Sequence, residues 1–122
     1  MIEYLTDLPP NMAGFKVTGK VTSYDFKKTV LPRVDDLLVH SDKLNYLLVL
    51  DTPLKNFTIG AWIMDFVFGI TYITKWHRTA IVTDVAKIRR FTDVHTFFMP
   101  GKYKGFELSE LEKAIEWVSL VE

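Results

Sequence analysis

The sequence predicts an α/β fold: an open sheet of about five strands, the first antiparallel and the rest parallel, with four helices. Three observations predict it. Two runs, "LNYLLVLD" and "TAIVTD", are apolar at consecutive positions and each ends in an aspartate. Strands that read this way are buried on both faces, as in parallel sheets covered by helices. Segments with apolar residues three and four apart alternate with these strands, which is the helical period. The chain also opens with two short runs parted by a turn, a separation that suits an antiparallel hairpin and not a crossover.

The hairpin strands lie in "IEYLTDL" and "GFKVTGKV", divided by Pro9-Pro10-Asn11. In the second, Phe15, Val17 and Val21 alternate with Lys16, Thr18 and Lys20, so one face is apolar and the other polar. Ser23 is placed to cap the first helix, with Asp25 in its first turn. Phe26, Val30, Val34, Leu37 and Leu38 make the buried stripe of that helix to about residue 40. Pro32 falls inside it and should kink it, because proline removes a backbone donor. "LNYLLVLD" is the central strand. "TAIVTD" is the next parallel strand, and Asp84 suits the cap of a helix over Val85 to Val94 that presents Val85, Ile88, Phe91 and Val94 inward. Pro100-Gly101 breaks the chain. "KYKGFEL" then reads as an edge strand whose lysines discourage edge-to-edge pairing. Ser109 with Glu112 suits a capping box for a last helix that buries Leu111, Ala114, Ile115 and Val118.

The length of 122 residues suits a single domain with one core, and 48% hydrophobic against 25% charged residues places the chain among globular proteins. Cysteine is absent, which excludes disulfides and thiolate chemistry and fits a reducing cytoplasm. "MIEYLTDLPP" lacks the pattern of a secretory signal. Net charge is zero, but residues 75–104 hold seven of the 15 basic groups and only two of the 15 acidic ones. Nucleic-acid binders carry a larger overall excess, so no nucleic acid is expected. The local excess is either a solvated face or a landing patch for an anionic group.

The remaining segment, Thr58 to Ile73, holds Asp65 as its one charge and reads as the fourth helix. It is shorter than the roughly 20 residues a membrane-spanning helix needs. Ile59, Trp62, Ile63, Phe66, Ile70 and Ile73 fall on one stripe, yet Ala61, Met64, Phe68 and Tyr72 lie opposite, beside Asp65. A helix that is apolar all round needs cover on both sides. Three covers are open: the chain itself, a second copy in a homodimer, or a lipid-like molecule or membrane surface. Leaving Met64, Phe68 and Tyr72 uncovered would expose about 300 Å² of apolar surface, enough to mark an interaction site. Gly60, Gly69 and the β-branched residues make the helix intrinsically weak, so packing must hold it. Just beyond it, "TKWHRT" sets Trp76 between Lys75 and Arg78, a combination suited either to a membrane interface or to packing over a helix end.

The order of elements, with the opening "MIEYLTDLPPNMAGFKVTGKVT", the kinked "LPRVDDLL", "NFTIGAWIMDFVFGITYITKWHRTAIVTD" and the closing "FFMPGKYKGFELSELEKAIEWV", resembles the SpoIIAA-like family of STAS and Sec14-type domains. The resemblance runs over nearly the whole chain. It implies a β-α superhelix and offers two precedents, anti-sigma-factor antagonists and lipid-carrying domains. The antagonists carry a phosphorylatable serine in an Asp-Ser-Gly-like turn after the third strand. Here that region reads "LDTPLKNFTIG"; neither Thr52 nor Thr58 stands in such a motif, and Thr58 suits a helix cap.

No catalytic constellation appears. His40, His77 and His95 lack ligand spacing, so no metal is expected, and there is no phosphate loop or nucleophile elbow. Asp51 and Asp84 end strands at the edge where open α/β sheets bind ligands, although capping is their default role. Trp117 and Tyr103 are expected to pack at core or edge. The expected function is a non-enzymatic, cofactor-free cytoplasmic module that binds a lipid or apolar small molecule and touches a membrane reversibly. The binding residues are expected to be Trp62, Met64, Phe68, Tyr72, Lys75, Trp76 and Arg78. The alternative is a regulatory protein-interaction domain that uses the same helix face as a dimer or partner interface.

Overall fold

A computed structural model describes residues 1–53, 58, 74–95 and 101–120. Its five strands form one sheet in the order β1-β2-β3-β4-β5. β1 (Ile2–Tyr4) runs antiparallel to β2 (Ala13–Thr18), and β3 (Leu44–Asp51), β4 (Trp76–Val82) and β5 (Lys102–Phe106) continue in parallel. The described helices are α1 (Leu31–His40), α2 (Ala86–His95) and α3 (Leu111–Ser119). The helix expected over Thr58 to Ile73 lies outside the described residues except for Thr58, whose N–H donates to the Val21 carbonyl at 2.9 Å.

β3 is the central strand, and its residues from Leu44 to Leu50 are all buried. Alternation sorts them to two faces. On the first face Tyr46, Leu48 and Leu50 join Phe15 and Val17 of β2 and Val30 and Val34 of the first helical arm, with Ile88 of α2 packed against them. On the second, Leu47 and Val49 join Ala80, Val82 and Phe106, covered by Ala114 and Val118 of α3. α1 and α2 therefore lie on one side of the sheet and α3 on the other.

Several local devices differ from the sequence expectation. Thr22, not Ser23, caps the first helical turn. Its N–H donates to Asp25 Oδ2 at 2.8 Å while its Oγ1 accepts from the Asp25 N–H at 3.4 Å. Asp25 stands three residues after Thr22, the spacing that closes both bonds at once. The kink expected at Pro32 takes the form of a π-helical stretch, Phe26–Val30, in which the Leu31 N–H donates to the Phe26 carbonyl. Pro32 is left in the first turn of α1, where its missing donor costs least. Before α3 the capping box is Glu107 with Glu110, not Ser109 with Glu112, and a short 3-10 turn, Leu108–Glu110, leads into the helix. Asp84, expected to cap its own helix, accepts at Oδ1 from the Leu108 N–H at 3.1 Å, and Thr83 Oγ1 takes the Val85 N–H at 3.3 Å. Val85, expected inside, is exposed, whereas Ile88 packs inward as expected. The side chains of Phe91 and Val94 lie outside the described residues.

β5 is the sheet edge, and α2 guards it. The Gly105 N–H donates to Asp93 Oδ1 at 2.8 Å, which occupies a backbone donor that an edge would otherwise offer to another strand. α2 comes so close here that a Cβ on Gly105 would stand 2.6 Å from Arg89 Cα and 2.8 Å from its carbonyl oxygen. These are backbone atoms, so relief requires moving the helix. Gly105→Ala is expected to destabilise the fold by roughly 1–3 kcal/mol, read from the midpoint of chemical denaturation; an unchanged midpoint would show that α2 does not rest on this contact.

Candidate functional site

The register of the central strands builds one distinctive row. Tyr46 of β3 pairs with Thr79 of β4, and Thr79 pairs with Tyr103 of β5. All three belong to the first face, in phase with Leu48, Ile81 and Gly105. A short side chain thus sits between two tall ones. Trp76 closes one end, its ring edge-on to Tyr46 at 5.7 Å and 6.4 Å from Tyr103. Phe15 backs Tyr46 from β2 at 5.7 Å. Thr79 is 6% exposed and its Oγ1 has no hydrogen-bond partner. Burial pushes the Tyr103 phenol up to about 12, because the charged form loses water there.

A bulge puts Trp76 in this row. Leu44 pairs with Trp76 and the next residue, Asn45, pairs with Arg78, so β4 spends one extra residue. Trp76 falls on the first face with Leu44, while Arg78 falls on the second. Arg78 is 5% exposed, and its guanidinium lies over the Trp117 ring at 5.0 Å. The expectation that Lys75, Trp76 and Arg78 form one interfacial cluster is corrected accordingly. Lys75 is exposed, Trp76 is half-buried in a strand, and Arg78 is inside on the opposite side. Trp62, Met64, Phe68 and Tyr72 lie outside the described residues.

The bulge also anchors a polar chain on the second face. Asn45 Nδ2 donates to the Asn11 carbonyl at 2.9 Å, which leaves Asn45 Oδ1 as the acceptor. His77 Nδ1, 2.7 Å away, is therefore the donor. Asn11 Nδ2 in turn donates to the Ser119 carbonyl at 2.9 Å, tying the end of α3 to the sheet. His77 is thereby engaged in structure.

At the carboxyl edge, Asp51, Thr52, Thr83 and Asp84 line an open crevice of about 300 Å³ together with Leu50, Pro53, Val85 and Leu108. Three of its polar groups are committed, Thr83 Oγ1 by the Val85 N–H. The Thr52 hydroxyl donates to the Gly19 carbonyl at 3.0 Å, and Asp84 holds Leu108. Thr52 is 9% exposed, which withdraws it from the role of a regulatory phosphosite. Trp117 packs with Phe106 at 6.0 Å and Tyr103 with Trp76, the packing roles expected of both.

Sequence reasoning missed Tyr46 and Thr79. The available signal was a hydroxyl-bearing residue inside each of two otherwise apolar central strands, "NYLLV" and "RTAIV", but only the register shows that the two meet.

The SpoIIAA-like family model matches residues 12–119, and the chain belongs to that family. Among solved structures it is similar to an uncharacterized protein of the DUF3478 family with a SpoIIAA-like fold from Shewanella loihica PV-4. The two are 22% identical with a TM-score of 0.72, and the match covers 96% of this chain and 93% of that one. No curated protein matches the chain. The family and fold are those of a binding or regulatory domain in the general sense. No helix among the described residues is long and apolar enough to cross a membrane.

The raised Tyr103 phenol has a pH signature. The folded state prefers the neutral form, so its contribution to stability is complete below the ordinary value of 10.0 and is lost as pH climbs towards about 12. Ultraviolet titration of the phenols should show a late step near that value that Tyr103→Phe abolishes; a variant that retains the step would refute the assignment.

Proposed function

We propose that this SpoIIAA-like chain is a non-enzymatic, cytoplasmic binding module for an apolar or lipid-like molecule, which it holds on the first face of its sheet, and that it associates reversibly with membrane surfaces through residues 57–76. The observation that carries the reading is the aromatic wall of Tyr46, Trp76 and Tyr103 around Thr79. Trp76 belongs both to this wall and to the apolar stretch that leads into β4. From that stretch the reading takes Trp62, Met64, Phe68 and Tyr72 as further apolar binding residues by their sequence, with Lys75, exposed at its end, meeting the anionic headgroups. Arg78 takes no part in membrane contact in this reading, because it is buried against Trp117.

Binding of this kind is weak and reversible on physical grounds. About 300 Å² of apolar surface at about 25 cal/mol per Å² is worth several kcal/mol. The cost of association removes much of that gain.

Vesicle co-sedimentation tests the reading. The protein is expected to pellet with anionic vesicles, less so with neutral ones and less again as salt is raised. Trp76→Ala should weaken pelleting several-fold. Failure to pellet, together with a tight, salt-insensitive dimer by light scattering, would favour the regulatory protein-interaction domain, with the same surface serving as its homodimer or partner interface.

A further inference from the structure

The two ends of the parallel strands carry opposite charge. Where the last three strands begin, Lys43 precedes Leu44 of β3, Lys75 precedes Trp76 of β4 and Lys102 opens β5. All three lysines are exposed, and none forms an ion pair with a described residue. Strand pairing draws them together. Leu44 stands opposite Trp76, its N–H donates to the Lys75 carbonyl at 2.7 Å, and Lys102 stands opposite Arg78. Three neighbouring strands span about 10 Å across a sheet, so the lysines add to one local field. Asp42 is the one acid among the described residues within two positions of these strand starts, and the turn that holds Asp7 lies beyond β2. At the opposite ends Asp51 closes β3, Asp84 follows β4 and Glu107 follows β5. Two of these acids are engaged by the chain: Asp84 holds the Leu108 N–H, and Glu107 stands 3.8 Å from Arg89. A net charge of zero therefore divides into a cationic edge with free lysines and an acidic edge. The cationic edge also carries apolar groups: Val39, in the last turn of α1, is 74% exposed, and Trp76 is half-buried at the start of β4.

We propose that the edge where β3, β4 and β5 begin is the surface that meets an anionic membrane, that Lys43 and Lys102 act there beside Lys75, and that the strands stand end-on to the bilayer with the acidic edge in solution. The inference rests on the reading that the chain associates with membranes. It adds an orientation and two cations that lie outside residues 57–76. Free lysines beside an indole and an exposed aliphatic side chain suit a lipid surface, where the ring rests at headgroup depth and the ammonium groups meet phosphates. The end-on orientation also removes the opposing charge. Eight residues of β3 at about 3.3 Å each separate the two edges by about 25 Å, beyond the roughly 10 Å over which salt at 0.1 M lets charges act. The membrane therefore attracts the lysines without repelling Asp51, Asp84 and Glu107. A side-on orientation would bring both signs to the surface and cancel the attraction.

The test measures partition of the full chain onto phosphatidylcholine vesicles that contain phosphatidylserine, at low salt, for two double variants with the same change in net charge. Lys43→Gln with Lys102→Gln removes two cations from the proposed edge. Lys20→Gln with Lys113→Gln removes two exposed cations elsewhere: Lys20 follows the far end of β2, and Lys113 lies in the first turn of α3. Each lysine at the lipid surface is worth about fivefold in partition, so the first variant should bind about tenfold more weakly or worse, and the second should change less than about twofold. Equal losses in the two variants, or no loss in the first, would overturn the assignment of this edge and leave membrane association standing. Absence of binding by the unaltered chain would overturn the reading on which the inference rests. Self-association at low salt that the first variant abolishes would in that case assign the lysines to the acidic edge of a second copy.

Discussion

Burial of β3 on both faces is the constraint from which the rest of the structure follows. A strand whose residues from Leu44 to Leu50 are all shielded needs neighbours on either side and a helical layer above and below. β2 and β4 supply the neighbours. Among the described residues, α1 and α2 lie in the first layer, and α3, crossing back after β5, supplies the second. The cost of such a strand is that any polar side chain on it must find a partner inside. Asn45 does so through Asn11 and His77. Thr79, on the neighbouring strand β4, does not.

The two faces differ in how they hold their polar groups. On the second face they bind one another, with Asn11 Oδ1 left buried without a partner. Asn11, Asn45 and His77 bind the hairpin turn, the central strand and the end of α3 into one unit, and Arg78 spreads over Trp117. On the first face, aromatic rings surround a hydroxyl with no partner. The bulge between Leu44 and Asn45 allows both arrangements from one short run of sequence. Without its extra residue, Trp76 and Arg78 would share a face, and either the indole would leave the first face or the guanidinium would join it.

Element order, strand directions and the central strand were legible in the sequence because they depend on patterns repeated over many residues. The apolar run from Leu44, the period-two alternation around Phe15 and the helical stripe through Ala114 and Val118 all survive in the structure. Caps were legible in kind but not in position. Thr22 and Ser23 are chemically equivalent candidates, and only the reciprocal bond from Asp25 selects Thr22; Glu107 was overlooked because glutamate is a less usual cap than the nearby Ser109. Pro32 signalled a break, and the π-helical form of that break depends on packing that sequence does not display. The site was the least legible part. "TKWHRT" looks like a single interfacial cluster, and a bulge, invisible in sequence, divides it. Tyr46 and Thr79 are some thirty residues apart, and only pairing register unites them. Thr58 to Ile73 remains known through its sequence, apart from Thr58 itself.

The central claim is that the first face takes an apolar molecule. The most direct measurement is mass spectrometry of the protein purified without detergent, first under native conditions and then after organic extraction. The account predicts a bound adduct in the native spectrum and an apolar or lipid-like species in the extract. A native spectrum of bare chain or bare dimer, with no apolar compound extracted, would contradict it.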